Sequence, residues 1–183
     1  MMKITSLNIS DLFLIEPCIF EDSWGCFFES FREDFFKKQT LSNIYFVQDN
    51  HVKSSHGVLR GLHYQIPPKA QAKLVRVVRG KVFDVAVDLR KKSSTFGKWI
   101  GQVLSEDNML QMWIPEGFAN GFLVLSDYAD VVYKITEEYS PLFERSILWN
   151  DPNLGISWPI DGAPIVSERD HLASIFTDAE IYS

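Results

Sequence analysis

The segment from Gly57 to Gln65 places a guanidinium and an imidazole close together within an apolar stretch. It reads Gly-Val-Leu-Arg-Gly-Leu-His-Tyr-Gln, so that Gly61 separates Arg60 from the residues leading to His63. An imidazole on a strand can act as a general base, and a guanidinium can bind an anion through two parallel hydrogen bonds. The alternative is a half-buried histidine bonded to a backbone carbonyl, with Arg60 on the surface.

Two more polar side chains fall on the apolar faces of predicted strands. The two-residue period of a strand puts Lys73 on the same face as Val75 and Val77, and Tyr133 lies between apolar residues in the same way. A lysine in such a place is stabilised by a negative charge, including the charge that develops on an enolate. The alternatives are an edge lysine that extends to solvent and an ordinary core tyrosine. A base, a cation and a phenol together suit abstraction of a proton next to a carbonyl.

The histidine spacing argues against a metal centre. A metal site in a small barrel usually shows two histidines one residue apart on a strand, whereas the residue two positions after His63 is Gln65. His51 and His56 lie in a polar segment and do not supply that spacing. The sequence therefore predicts no metal and no other cofactor.

Many short apolar segments separated by turn residues predict an all-β sandwich or barrel with a few short helices at its ends. The predicted strands are Leu12–Ile19, Cys26–Phe28, Ile44–Asp49, Gly57–Gln65, Lys73–Val78, Val82–Leu89, Trp99–Leu104, Gln111–Ile114, Phe122–Leu125 and Val131–Thr136. Arg79-Gly80-Lys81 predicts a hairpin between its two flanking strands, and Asn50 to His56 predicts a polar loop. A capping box at Ser30 predicts a helix over about 31–38, and a helical turn is expected from Ser167. From Tyr139 onward the sequence predicts irregular structure.

The composition indicates one soluble domain over residues 1–183. The net charge of −6 argues against a nucleic-acid partner, although a few local Arg and Lys residues are compatible with a small phosphorylated ligand. Two cysteines, Cys18 and Cys26, are too few for a disulfide scaffold. We find no apolar run long enough to span a membrane and no signal-peptide pattern, so we expect a cytoplasmic protein.

Several motifs, in the same order, resemble the dTDP-4-dehydrorhamnose 3,5-epimerase family. The resemblance extends from Phe20 to about Asp170, which is far more specific than any single short motif. The motifs are Phe-Val-Gln-Asp-Asn (46–50), Arg-Gly-Leu-His-Tyr-Gln (60–65), Phe-Asp-Val-Ala-Val-Asp-Leu-Arg (83–90), Trp-Ile-Pro-Glu-Gly-Phe-Ala (113–119), Gly-Phe-Leu-Val-Leu (121–125) and Trp-Asn-Asp-Pro (149–152).

The resemblance implies a cupin-type jelly roll that needs no metal and forms a homodimer with strands exchanged between subunits. It implies that the substrate is a nucleotide-linked 4-keto-6-deoxyhexose, with dTDP as the expected nucleotide. Enzymes of this family invert C3 and C5 through enolates on the route to dTDP-L-rhamnose. The C4 ketone acidifies both neighbouring C–H bonds, so that one base can serve both centres.

The resemblance also assigns roles to individual residues. His63 would remove the protons, Asp170 would orient it, Tyr133 would reprotonate the opposite face and Lys73 would stabilise the enolate oxygen. Tyr139 would stack on the thymine ring. The remaining positions that match nucleotide-binding residues are Glu29, Gln48, Asp49, Asn50, Arg60, Glu144 and Arg169.

Two positions depart from the family pattern, and both belong to the nucleotide-binding set. Trp24 stands where the family usually has arginine, and Asn120 stands where it has histidine. Asn120 could still donate to a phosphate oxygen but cannot become cationic. Losing two potential cations predicts weaker binding of the pyrophosphate, or a different nucleotide or sugar.

Two alternatives to the double epimerase therefore stay open. One is a related enzyme that inverts only C3 or only C5, or that acts on another nucleotide-linked 4-keto-6-deoxy sugar. The other is a cupin that binds a sugar nucleotide without turning it over. The product's stereochemistry distinguishes the first alternative, and the effect of His63→Asn on turnover distinguishes the second.

Overall fold

Two antiparallel β-sheets packed face to face form the frame of the protein, which confirms the predicted all-β sandwich. The computed structural model describes residues 2–40 and 44–182. The strands are β1 (Lys3–Ser6), β2 (Phe13–Glu16), β3 (Ile19–Asp22), β4 (Gly25–Phe28), β5 (Gln48–Ser55), β6 (Val58–Gln65), β7 (Lys73–Arg79), β8 (Lys81–Asp88), β9 (Trp99–Ser105), β10 (Gln111–Ile114), β11 (Phe118–Val124), β12 (Tyr128–Ile135), β13 (Glu144–Ser146) and β14 (Ile165–Val166). The helices are α1 (Glu33–Thr40), α2 (Glu168–His171) and a 3₁₀ turn, Phe176–Asp178.

The strand order interleaves distant parts of the chain, as expected for a cupin-type jelly roll. Sheet 1 has the order β1-β2-β10-β7-β12-β5, and sheet 2 has the order β13-β6-β11-β8-β9 with β14 parallel to β6. Strands β3 and β4 form a separate hairpin. None of the helices within residues 2–40 and 44–182 is long and apolar enough to cross a membrane.

Three apolar clusters hold the sheets in place. The central cluster lies between the sheets and includes Val75, Val77 and Val131 from sheet 1 with Val82 and Ala86 from sheet 2. Each of these side chains is at most 4% exposed, so each valine contributes on the order of 1–3 kcal/mol through the hydrophobic effect, and Ala86 contributes less. The central cluster fills the closed part of the sandwich and leaves one end for polar side chains.

The outer faces of the two sheets are covered by different parts of the chain. The C-terminal region packs on sheet 2, where Trp158, Phe176 and Tyr182 lie against buried residues of the second cluster. Helix α1 packs on sheet 1, where the rings of Phe36 and Trp113 are 4.9 Å apart in an edge-to-face arrangement. The C-terminal cover is important for the site because it brings α2 next to β6.

The predicted hairpin across Arg79-Gly80-Lys81 is wrong. β7 pairs with β10 and β12 in sheet 1, whereas β8 pairs with β9 and β11 in sheet 2. The chain passes from one sheet to the other at Gly80, whose φ of +77° suits glycine and where a Cβ would clash with the carbonyl oxygen of Tyr128. Both strands are apolar on their inner faces, and that pattern is the same in a hairpin and in two facing sheets.

The predicted polar loop from Asn50 to His56 is also wrong. These residues belong mostly to β5, which pairs with β12 from Gln48 to Ser55. β5 is the edge strand of sheet 1, so its polar side chains stay hydrated while its backbone completes the ladder. The strand expected over 44–49 therefore begins only at Gln48.

Most remaining predictions agree with the structure to within a few residues, but α1 begins at Glu33 and not directly after Ser30, and β1, most of β3 and the first part of β11 were not predicted. The apolar run from Leu12 to Ile19 is broken at Pro17 into β2 and β3, as a proline within a strand requires. Ser23 and Trp24 form the turn that connects β3 and β4, and the predicted strand Gly57–Gln65 contains β6. Beyond Tyr139 the chain is largely irregular, with only short strands and helices.

Candidate active site

A polar cleft opens between the two sheets at the end where β6, β7 and β12 meet. It has an outer lobe of about 210 Å³ and an inner lobe of about 100 Å³, and His63, Lys73 and Tyr133 line both. These three side chains come from strands of different sheets, so the sandwich itself brings them together. The structure thus places the predicted base, cation and phenol around one cavity.

His63 is bound from behind by the carboxylate of Asp170. His63 Nε2 lies 2.6 Å from Asp170 Oδ1, and Asp170 is buried while His63 stays partly open to the cleft. Because the carboxylate occupies Nε2, Nδ1 is the nitrogen left to accept a proton. Burial alone would raise the pKa of Asp170, but the hydrogen bonds from His63, from the Gly61 backbone and from Ser167 lower it below its usual value.

The local sequence holds Asp170 in this position from two sides. Ser167 caps α2, since its Oγ accepts a hydrogen bond from the backbone N–H of Asp170 at 3.2 Å. The backbone N–H of Gly61 donates to Asp170 Oδ2 at 3.3 Å. The prediction of a capped helical turn from Ser167 is confirmed.

Gly61 is required by the close approach of β6 to β11. Its φ is +105°, and a Cβ built there would lie 2.6 Å from the carbonyl oxygen of Asn120. A side chain would therefore push the two strands apart and move the N–H group that binds Asp170. The glycine between Arg60 and His63 thus has a positional role that spacing alone does not show.

Lys73 and Tyr133 face the cleft from neighbouring strands of sheet 1, as their strand parity predicted. Lys73 Nζ donates to the backbone carbonyl of His63 at 3.3 Å. Burial lowers the pKa of Lys73 to about 8, although the negative charges of Asp84 and Glu144 oppose that change. Burial also raises the pKa of Tyr133, so its hydroxyl keeps its proton at neutral pH.

A hydrogen-bonded group forms the mouth of the outer lobe. The Tyr139 hydroxyl donates to Glu144 Oε2 at 2.6 Å, and Arg169 Nη2 lies 2.7 Å from the same oxygen. The hydrogen bond to Glu144 is the main reason that the pKa of Tyr139 is raised. Gln48 accepts from the backbone N–H of Tyr139 and donates to Asn50, so β5 also supports the mouth.

Arg60 and Asn120 line the inner lobe. Arg60 Nε donates to Ser54 Oγ at 3.0 Å, and its side chain remains exposed. The Asn120 amide donates to Asp84 Oδ1 at 2.8 Å and to the carbonyl of Val85 at 3.1 Å. Both of its N–H bonds are engaged within the protein, so the expectation that Asn120 donates to a phosphate oxygen is not supported by this geometry.

Three predicted binding residues lie outside the cleft of their own chain. Asp49 points to the other face of sheet 1 and pairs with Lys134 Nζ at 2.9 Å, because neighbouring residues on a strand face opposite sides. Glu29 lies on the surface beside Arg32. Trp24 is at the tip of the β3–β4 hairpin with 95% of its surface exposed.

Sequence analysis missed two residues that support the site. Gln65 is buried and joins two loops, since its amide donates to the carbonyls of Lys69 and Glu138 and its oxygen accepts from Ser140 N–H. Asp84 is fully buried next to Asn120. The sequence signal for Asp84 was its place on the same strand face as Val82 and Ala86, because an acid on an otherwise apolar buried face is unusual.

The donor groups of the cleft do not form a metal cage. Within the part of the chain that the structure describes, no cluster of three or more His, Cys, Asp and Glu side chains is placed to hold a metal ion. The absence of a metal requirement remains a prediction.

Comparison with known proteins first defines the class. Solved structures that share this fold over almost the whole chain include sugar epimerases, and the class is that of cupin-type carbohydrate isomerases. The chain belongs to the dTDP-4-dehydrorhamnose 3,5-epimerase family, whose sequence profile matches residues 6–178.

Individual relatives support this membership over almost the whole chain. The dTDP-4-dehydrorhamnose 3,5-epimerase of Pseudomonas aeruginosa is 54% identical over 181 residues, which is 99% of each chain. The dTDP-6-deoxy-D-glucose-3,5-epimerase of Legionella pneumophila, solved in complex with dTDP-4-keto-L-rhamnose, has a TM-score of 0.95 and 46% identity, and the match covers 98% of this chain and 95% of that one. A 3′-monoepimerase of Streptomyces bikiniensis, solved with dTDP-quinovose, has a TM-score of 0.89 and 36% identity over 94% of this chain and 87% of that one.

Proposed function

We propose that this protein converts dTDP-4-dehydro-6-deoxy-D-glucose into dTDP-4-dehydro-L-rhamnose by inverting C3 and C5, a step in dTDP-L-rhamnose biosynthesis. The observation that carries the proposal is the His63–Asp170 pair facing the same cleft as Tyr133 and Lys73. The family membership and the substrate classes named for the relatives agree with it.

Proton abstraction is the first step. The C4 ketone makes the C–H bonds at C3 and C5 acidic, and His63 Nδ1 takes a proton from each carbon in turn. The buried carboxylate of Asp170 holds the ring in one orientation and stabilises the imidazolium that forms. The C–H electron pair moves into the enolate, so each step is balanced without an oxidant or a reductant.

Lys73 stabilises the enolate oxygen. With a pKa of about 8 its amine is mostly protonated at neutral pH, and partial burial strengthens its interaction with a developing oxyanion. The hydrogen bond to the His63 carbonyl keeps the ammonium beside the base. The charge that develops in the transition state therefore has a preorganised partner.

Tyr133 returns the proton from the opposite face of the sugar ring. It lines both lobes of the cleft with His63, and its raised pKa ensures that it carries the proton it must donate. Delivery from the face opposite His63 inverts the carbon. Solvent then returns a proton to the phenolate and takes one from the His63 imidazolium, so that both groups are ready for the second carbon.

The nucleotide occupies the mouth of the outer lobe. Tyr139 stacks on the thymine ring, where its hydroxyl is held by Glu144. Arg60 and Arg169 supply the positive charge that a diphosphate needs. Gln48 and Asn50 complete this binding set from β5.

We also propose that the protein is a homodimer in which the β3–β4 hairpin crosses to the partner. Phe20, Trp24 and Phe27 are 61%, 95% and 71% exposed on this hairpin, an apolar surface that a lone protomer leaves in water. Exchange would bring Trp24 and Glu29 to the partner's cleft, which accounts for their distance from their own. Light scattering tests this, since Phe27→Glu should yield monomers with low activity, and an unchanged dimer would contradict it.

We place the enzyme in the cytoplasm, with a nucleotide sugar rather than a nucleic acid or a membrane as its partner. The net charge of −6 disfavours a phosphate polymer, and both cysteines are free.

A single epimerisation is the second candidate function. The likeness to the 3′-monoepimerase of Streptomyces bikiniensis favours it. The cleft offers the same base and acid in either case, so the distinction depends on how the sugar turns between the two steps.

Solvent exchange tests the proposal directly. The purified protein is incubated with dTDP-4-keto-6-deoxyglucose in heavy water, and NMR follows deuterium at C3 and C5. Incorporation at both carbons that His63→Asn abolishes is the expected result. Incorporation at C3 alone indicates a monoepimerase, and none at either carbon would overturn the proposed activity on this sugar. Binding of the substrate without exchange would identify a non-catalytic cupin.

A further inference from the structure

Asp84 is a buried carboxylate to which the proposed mechanism assigns no role. It has no exposed surface, and its Oδ1 accepts a hydrogen bond from Asn120 Nδ2 at 2.8 Å. Its Oδ2 is buried without a hydrogen-bond partner among the residues that the structure describes. Burying an unpaired carboxylate oxygen costs free energy unless a positive charge lies nearby, so the presence of Asp84 here needs an explanation.

Asp84 and Lys73 lie on the inward faces of different sheets, close enough for the charge of each to act on the other. Asp84 shares its strand face with Val82 and Ala86, which belong to the central cluster. Lys73 shares its face with Val75 and Val77 of the same cluster. No direct ion pair joins the two groups within the described residues, so their attraction acts across the low-dielectric interior.

The other polar groups around Lys73 do not replace Asp84. β6 contributes His63 and Arg60, and β12 contributes Tyr133, none of which is a carboxylate. β13 contributes Glu144, whose oxygen already binds Tyr139 and Arg169. Asp84 on β8 exerts the larger electrostatic effect on Lys73, and Glu144 the smaller.

Asp84 and Lys73 each oppose the pKa change that burial causes in the other. Burial raises the pKa of Asp84 to about 7, while Asn120 and Lys73 oppose that rise. Burial lowers the pKa of Lys73 to about 8, while Asp84 opposes that fall. Asn120 stays neutral at every pH, so unlike an imidazole it cannot take up a proton and compete with Lys73 for the Asp84 charge.

We propose that Asp84 is a positioning residue that keeps Lys73 charged in the cleft. Asn120 binds one carboxylate oxygen of Asp84, and the negative charge of the carboxylate stabilises the ammonium group of Lys73. The role of Lys73 at the enolate rests on the proposed function, whereas the pairing of Asp84 with Lys73 does not. Activity should therefore fall at alkaline pH as Lys73 loses its proton, and Asp84 should set the pH at which this happens.

The pKa of Lys73 can be measured without any substrate. Protein labelled with ¹³C at lysine Cε is titrated by NMR, and the Lys73 signal is identified by its loss in Lys73→Met. Asp84→Asn, which keeps the shape, should lower the pKa of Lys73 by about one to two units. Glu144→Gln should lower it less, and Asp107→Asn, the same change at an exposed position, should not alter it.

The pH profile of kcat/KM gives the functional readout. The alkaline limb of Asp84→Asn should move to lower pH by the same amount as the pKa of Lys73. A purely structural role would lower activity at all pH values without moving the limb. An unchanged pKa of Lys73 in folded Asp84→Asn would overturn the proposal.

A reciprocal variant covers the case in which Asp84→Asn fails to fold. Removing the ammonium with Lys73→Met should raise the pKa of Asp84 further, which its ¹³Cγ shift reports. No change in that shift would also overturn the proposal. Because both titrations use ligand-free protein, a shift found together with no turnover of the dTDP sugar would contradict the proposed function and leave the pairing intact.

Discussion

His63 Nε2 lies 2.6 Å from Asp170 Oδ1, although 107 positions separate the two residues in the chain. The C-terminal region makes this contact when it returns across sheet 2 and pairs β14 with β6. Asp170 is buried, and His63 is the member of the pair that faces the cleft. The pair is therefore the product of one long-range return of the chain.

Replacing Asp170 by asparagine should lower kcat by about 10²–10⁴-fold, because the imidazole loses the carboxylate that orients it and stabilises its charge. The affinity for dTDP, measured by calorimetry, should change by less than about twofold. Glu168→Gln is the matched control, since it alters an exposed acid on the same short helix. Equal losses in the two variants would contradict the assignment.

Replacing Tyr133 by phenylalanine should separate exchange from inversion. His63 still removes and returns the proton on its own face, so deuterium should enter at C3 or C5 while the yield of inverted product falls by about 10²–10⁴-fold. NMR of the recovered sugar measures both quantities. Parallel loss of exchange and inversion would show that Tyr133 is not the acid of the opposite face.

The ring of Tyr139 and its hydroxyl should contribute differently to nucleotide binding. Tyr139→Ala removes the stacking surface and should weaken dTDP binding by about 1–3 kcal/mol. Tyr139→Phe keeps the ring and loses only the hydrogen bond to Glu144, so its effect should be several-fold smaller. Calorimetric titration distinguishes the two, and equal losses would argue against stacking.

A methyl group at Gly61 should both destabilise the fold and disturb the dyad. Gly61→Ala combines a φ of +105° with a Cβ 2.6 Å from a backbone oxygen. Gly162→Ala has a similar φ of +91° but nothing within 4 Å, so it isolates the backbone strain of about 1–3 kcal/mol. Urea unfolding should show a larger loss for Gly61→Ala, and comparable losses would show that the strands can separate.

Asp88 should make stability depend on acid pH. It is buried, and although burial alone would raise its pKa, hydrogen bonds from Arg90, Ser93 and Thr95 lower the pKa to about 2. A folded-state pKa below the unfolded value stabilises the protein above about pH 4, and this contribution disappears as pH falls through about 2.

The stability difference between the wild type and Asp88→Asn should therefore shrink by about 2 kcal/mol between pH 5 and pH 2. Urea unfolding at each pH measures it, with the exposed Asp107→Asn as the reference. A constant difference across this range would mean that the carboxylate does not titrate as proposed.

Local patterns were enough to predict several features of the site. Strand alternation alone placed Lys73 and Tyr133 on inward faces, and the structure confirms both orientations. The Ser167 cap was visible because a capping residue acts on an N–H only three residues away. These features depend on neighbours within a few positions, which the sequence specifies directly.

Other features were decided only by tertiary structure. The chain crosses between sheets at Gly80 instead of forming a hairpin, because the inward apolar pattern of β7 and β8 fits either arrangement and long-range pairing chooses between them. β5 is a strand despite its polar residues, since β12 supplies the ladder. Asp84 acts on Lys73 only because the two sheets face each other and bring the inward sides of β7 and β8 together. The sequence by itself determined which face each side chain takes on its strand, and the packing of the sheets determined which faces meet.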